Sequence, residues 1–72
     1  MLKYKDIDGD SGIIEYQIGE TYIDIKFKSG KIYKYSYSSA GVENIENMKK
    51  LAIDGDGLNS YLMKNCRDLF VK

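Results

Sequence analysis

The sequence predicts an α+β domain: a three-stranded antiparallel β-meander followed by two α-helices packed on one of its faces. Three observations carry this. Residues 13–37 alternate apolar and polar positions in three short runs rich in Ile and Tyr, the period of half-buried strands. From about residue 40 the apolar positions recur at helical spacing instead. Glycine, never proline, marks the joints, with 7 Gly and 0 Pro in 72 residues. At this length one domain with one core is expected over 1–72, comprising an acidic N-terminal arm (1–11), the meander (13–37) and helices over 40–53 and 58–66.

The first strand is expected over Ile13 to Ile18, with Ile14, Tyr16 and Ile18 on one face and Ile13, Glu15 and Gln17 on the other. Gly19 and Glu20 turn the chain. In the second strand, Thr21 to Phe27, the residues Ile23, Ile25 and Phe27 oppose Tyr22, Asp24 and Lys26. Lys28, Ser29 and Gly30 close a tight hairpin into a third strand, Lys31 to Tyr37.

The length of that hairpin loop matters, because a one-residue slip sends a whole set of side chains to the opposite face. A two-residue Ser29-Gly30 loop would pair Phe27 with Ile32 and expose Tyr33, Tyr35 and Tyr37 as an aromatic ladder. A three-residue loop, with Gly30 left-handed in a bulge, would pair Phe27 with Lys31, Ile25 with Tyr33 and Ile23 with Tyr35. The second register is preferred, since folding at this size buries only about 60% of the unfolded surface and the core needs the aromatic bodies.

After Tyr37, the residues Val42, Ile45, Met48 and Ala52 share one helical stripe, with Leu51 at its margin. Ser38 or Ser39 is the expected N-cap and Gly55 the left-handed C-cap. Leu58, Tyr61, Leu62 and Cys66 define the second helix. Leu69, Phe70 and Val71 read as a docking tail or a short strand.

Composition narrows the chemistry. Eleven Lys plus Arg balance eleven Asp plus Glu, so a polyanion would need a local patch rather than the field of the whole molecule. With one cysteine, Cys66, and no histidine, neither a disulfide within the chain nor a His-based nucleophile or metal site can form. The start of the chain lacks the apolar run of a signal peptide, and no stretch approaches the roughly 18 apolar residues of a bilayer span. A soluble cytoplasmic protein is expected, non-enzymatic, without cofactor, metal or membrane.

Asp6-Ile7-Asp8-Gly9-Asp10 opens like a calcium loop, but Ser11 stands where the turn glycine belongs and Gln17 where the bidentate glutamate belongs. A solvated acidic arm is the better reading, residues 6–20 carrying five carboxylates and no base. Asp54-Gly55-Asp56-Gly57 reads as a turn whose carboxylates suit the next helix. Cys66 reads as a small core residue.

One patch has a direction. Lys26, Lys28, Lys31 and Lys34 against Asp24 give the second hairpin a local +3, with Tyr22, Tyr33, Tyr35 and Tyr37 interleaved. Cations for phosphates beside aromatic faces for bases is how single-stranded nucleic acid is held. The same alternation is also what any sheet with one wet face shows, where edge lysines deter aggregation.

The hairpin Phe27-Lys28-Ser29-Gly30-Lys31-Ile32-Tyr33-Lys34-Tyr35, the segment Ala40 to Ala52 and the run Gly55-Asp56-Gly57-Leu58-Asn59-Ser60-Tyr61 together resemble the KTSC domain family. The family is named for the C-terminal region of some lysyl-tRNA synthetases and also occurs as small stand-alone bacterial and phage proteins. The resemblance covers roughly residues 11–70 and implies that Tyr33 and Tyr35, or Tyr35 and Tyr37 in a shifted alignment, together with Gly57, Leu58, Asn59 and Arg67, are the motif positions. Members often end in a basic segment with a tyrosine, whereas Cys66-Arg67-Asp68-Leu69-Phe70 keeps the arginine, adds an acid and lacks the tyrosine. The family's function is unassigned, and RNA binding is suggested only by the synthetase attachment.

The expectation is therefore a binding module. Its most concrete form binds RNA or single-stranded nucleic acid weakly through the lysines and tyrosines of the hairpin. The alternative is a protein interaction module using the sheet edge or the exposed sheet face. Register discriminates the two, because tyrosines buried under the helices leave no stacking platform.

Overall fold

The computed structural model describes residues 1–6 and 12–71. The α+β class holds, but the sheet has four antiparallel strands rather than three, in the order β1-β2-β3-β4. They are β1 Leu2–Lys3, β2 Ile13–Ile18, β3 Tyr22–Phe27 and β4 Ile32–Ser36. Then follow α1 Tyr37–Ala40, α2 Val42–Asp54 and α3 Leu58–Tyr61, the last running on as a π-helical turn, Leu62–Cys66.

The hairpin takes the three-residue register. Ile25 lies opposite Tyr33 and Ile23 opposite Tyr35. The Phe27 N–H donates to the Lys31 carbonyl at 2.9 Å, and Gly30 has φ +90°, which glycine adopts without a Cβ penalty. Ile23, Ile25 and Tyr35 thereby join Ile45, Met48 and Leu58 from the helices in one core.

Four expectations are corrected. The N-terminal arm is not wholly solvated. Leu2 and Lys3 pair with Tyr16 and Glu15, and Tyr4 is in the core, its hydroxyl accepting the Leu58 N–H at 3.3 Å. That N–H belongs to the first turn of α3 and has no partner within its helix. The residues of the calcium-like motif after Asp6 lie outside the described residues.

Secondly, β2 does not alternate cleanly, because its register against β3 shifts between Ile13 and Glu15. The bulge inserts Ile14 as an extra residue, so Ile13, expected on the wet face, is buried together with Tyr16. Thirdly, β4 ends one residue early: Ser36, rather than Ser38 or Ser39, caps a one-turn helix that begins at Tyr37. Its side chain and that of Ser39 bond each other's backbone N–H, closing a capping box. Fourthly, Gly41, at φ +91°, breaks the chain before α2, so Val42 starts that helix exposed while Ala40 is buried.

The second helical pattern holds over its full 58–66 span, with Leu58, Leu62 and Cys66 all buried. Gly55 ends α2 with φ +78° and its N–H on the Leu51 carbonyl. A Cβ there would meet the Lys5 Cβ at 2.5 Å, so this glycine also lets the N-terminal segment pack against the α2–α3 turn.

Candidate interaction surface

The face of the sheet away from the helices is a grid of alternating charge. Cross-strand pairing aligns Lys3, Glu15, Lys26 and Ile32 in one row and Gln17, Asp24 and Lys34 in the next. Lys26 bridges Glu15 at 3.5 Å, and the Lys34 ammonium sits 4.4 Å from the centre of the Tyr22 ring. Both lysines thus have partners within the sheet, each contact worth about 1 kcal/mol or less at the surface. One oxygen of Asp24, Oδ1, is buried without a hydrogen bond. Lys28 and Lys31 stand exposed at the hairpin tip, with no ion pair among the described residues.

The tyrosines proposed to stack bases do not form a platform. Tyr35 is 2% exposed. Tyr33 is half-buried, its ring 5.7 Å from Phe27 and 4.9 Å from Phe70. Tyr37 has left the strand for α1, and its hydroxyl donates to Glu46 at 2.6 Å. Lys49 completes that cluster by bonding Glu46 and the Glu20 carbonyl, each at 2.9 Å. The Glu46 carboxyl is held below, and the Tyr37 hydroxyl and Lys49 ammonium above, their ordinary pKa values, chiefly by these hydrogen bonds.

Of the residues carried by the resemblance, Tyr33 and Tyr35 lie on β4, and the others serve the α2–α3 junction and the end of the last helix. Gly57, at φ +80°, precedes α3, Leu58 is fully buried, and Asn59 is partly covered. Arg67 is exposed and forms no ion pair among the described residues, with Asp68 or any other acid.

Two features were not located from sequence. One is the outer edge of β4. Antiparallel pairs alternate between hydrogen-bonded and non-bonded. Since Lys31, Tyr33 and Tyr35 turn their backbone groups to β3, Ile32, Lys34 and Ser36 turn theirs outward. The Ser36 N–H is taken by the Ser39 hydroxyl and the Lys34 carbonyl by the Val71 N–H, at 3.0 and 2.7 Å. The N–H and carbonyl of Ile32 and the N–H of Lys34 have no hydrogen bond among the described residues. Ile32, 54% exposed, and Val71, 46% exposed, are apolar residues along this edge.

The other is a groove of about 240 Å³ beside that edge. Phe27, Tyr33 and Tyr35 from the hairpin line it together with Leu62, Met63 and Phe70 from the C-terminal segment. Arg67 and Asp68 supply its charged groups. Burial, helped by the neighbouring Cys66, Tyr33 and Asp68, pushes the Tyr35 hydroxyl up to about 12. The apolar triplet after Asp68 signalled a docking tail, but only the fold could say that it docks on β4.

Among the described residues, no group of three or more acidic, Cys or His side chains is placed to hold a metal, and no helix is long and apolar enough to cross a membrane. Cys66 is fully buried, and burial raises its thiol pKa. Comparison with protein-family models, curated proteins and solved structures gives no match.

Proposed function

We propose that this chain is a small non-enzymatic binding module that takes a segment of a protein partner in extended form along the outer edge of β4. The observation that carries the reading is the row of outward backbone groups at Ile32 and Lys34, flanked by exposed apolar side chains. Sheet edges left in this state add strands from other chains, with backbone bonds for affinity and neighbouring pockets for selectivity. The Val71–Lys34 bond supports it further, because a passing segment already uses this edge.

Nucleic-acid binding is the second reading, favoured by the exposed Lys28 and Lys31 at the hairpin tip. With Tyr35 buried it would rest on phosphate contact and weaken steeply with salt.

Affinity capture from host-cell lysate separates the readings, using the full chain, an Ile32→Pro variant and a Lys28→Ala/Lys31→Ala variant. The Ile32 N–H points away from β3, so proline at 32 removes an edge donor and spares the ladder. A protein held by wild type and by the lysine variant but lost with Ile32→Pro is the expected result. Material that survives Ile32→Pro and is lost to nuclease or to the lysine variant would overturn it in favour of nucleic acid.

A further inference from the structure

The segment Leu69–Val71 meets the outer edge of β4 much as an added strand would. The Val71 N–H donates to the Lys34 carbonyl at 2.7 Å. One residue earlier, the Phe70 ring packs on the helix side of the sheet, 4.9 Å from Tyr33 and 6.4 Å from Tyr35 between ring centres. A backbone bond to a sheet edge, with the adjacent side chain seated against one face, is how extended peptides are taken by strand addition.

The segment is lightly held. It belongs to no helix or strand, and Leu69 and Val71 are 37% and 46% exposed. Phe70 lines, without filling, the groove of about 240 Å³ that it shares with Phe27, Tyr33 and Tyr35. Segments that bury little apolar surface open at the low end of a protein's range of local stabilities.

The same segment stands where a partner strand has to go. In antiparallel pairing, both outward backbone groups of a residue go to one residue of the neighbouring strand. A partner that takes the Lys34 N–H in this way also needs the Lys34 carbonyl, which Val71 occupies. The two compete. The groove tells which side chain suits the newcomer, because its hairpin wall is aromatic and such rings offer edges and faces to a further ring.

We propose that Leu69–Val71 is a tethered occupant of the partner's place, displaced by an extended protein segment that carries an aromatic residue directly before the one bonding Lys34. This rests on the reading of the β4 edge as a strand-binding site, and adds to it the partner's side-chain chemistry and a restraint on its binding.

Amide spectra of the full chain test this, with acetyl-Asp-Leu-Phe-Val-amide, the sequence of residues 68–71, as the probe and a peptide with alanine in place of its phenylalanine as the control. Phe70→Ala removes the tethered ring and Val71→Pro the tethered N–H, and dispersed spectra verify that each variant folds. Saturable shifts at Ile32, Tyr33 and Lys34 are expected in both variants, at least about tenfold tighter than in wild type, where the tethered copy competes. The alanine peptide should not saturate. In wild type alone, the Val71 amide should exchange at least about a hundredfold faster than that of Tyr35. Equal affinity for wild type and variants, no saturable binding to a folded variant, or a Val71 amide as protected as that of Tyr35 would each overturn the proposal. Capture with Ile32→Pro reads the edge without the peptide, so an edge-dependent partner found beside any of these results would remove the tethered occupant and leave the strand-binding reading standing.

Discussion

Tyr35 lies directly across the β3–β4 hairpin from Ile23, the two at 2% and 0% exposure. This pairing decides what the hairpin can offer a partner. With Tyr35 inward, Lys34 and Ile32 face the solvent side of the sheet, and the backbone of the same two residues forms the outer edge. Stacking is thereby traded for an open edge.

Alkaline titration should expose the Tyr35 environment. Its hydroxyl, raised from 10.0 to about 12 mainly by burial, favours the protonated form in the folded state. The stability this contributes is fully present below about pH 10 and is lost as pH rises towards 12, by at most roughly 3 kcal/mol. Tyr35→Phe has no proton to lose there. Urea unfolding at stepped pH should therefore show a shallower alkaline decline for the variant, with stability near neutral pH within about 1 kcal/mol of wild type. Parallel declines would show that the hydroxyl is not desolvated.

Gly30 and Gly55 both have positive φ, but only Gly55 has a neighbour where a Cβ would go. Gly30→Ala meets open space, so its cost is the left-handed backbone alone, about 1 kcal/mol. Gly55→Ala adds a clash with Lys5 and should cost at least about 2 kcal/mol. Asparagine, which tolerates the left-handed region, should rescue position 30 and not position 55. Denaturant midpoints of the four variants decide, and equal losses at the two sites would contradict the packing of Lys5 on Gly55.

Asp24 occupies a strand centre with one carboxylate oxygen buried and unbonded. Asp24→Thr replaces a poor strand former with a good one and removes that oxygen's desolvation. A gain of about 0.5–1 kcal/mol in unfolding free energy is expected, with capture of a protein partner unchanged. A loss of stability would mean that the carboxylate anchors Lys34 across the strand pair.

Much of the meander was legible because its signals are local. Alternation in Tyr22 to Phe27 set the inward side chains, and Gly30 together with the need for aromatic bulk selected the register. Ile45, Met48, Ala52, Leu58 and Leu62 followed from helical spacing. What was missed depends on contacts distant in sequence. Leu2–Lys3 is too short to carry a period, and pairs only because β2 presents an edge to it. The Ile14 bulge conserves composition while reversing Ile13, so no periodic pattern could mark it. The groove unites residues 27 to 35 with residues 62 to 70, and the Val71–Lys34 bond spans 37 positions of chain.

Amide hydrogen exchange along β4 of the full chain tests the central claim most directly, that this strand presents an open edge beside buried tyrosines. Tyr33 and Tyr35 N–H groups, bonded into β3, should exchange slowly, and those of Ile32 and Lys34 fast, with the latter pair becoming protected when a captured protein partner is added. Slow exchange at Ile32 and Lys34 in the free chain, or partner-induced protection confined to Lys28 and Lys31 at the hairpin tip, would contradict it.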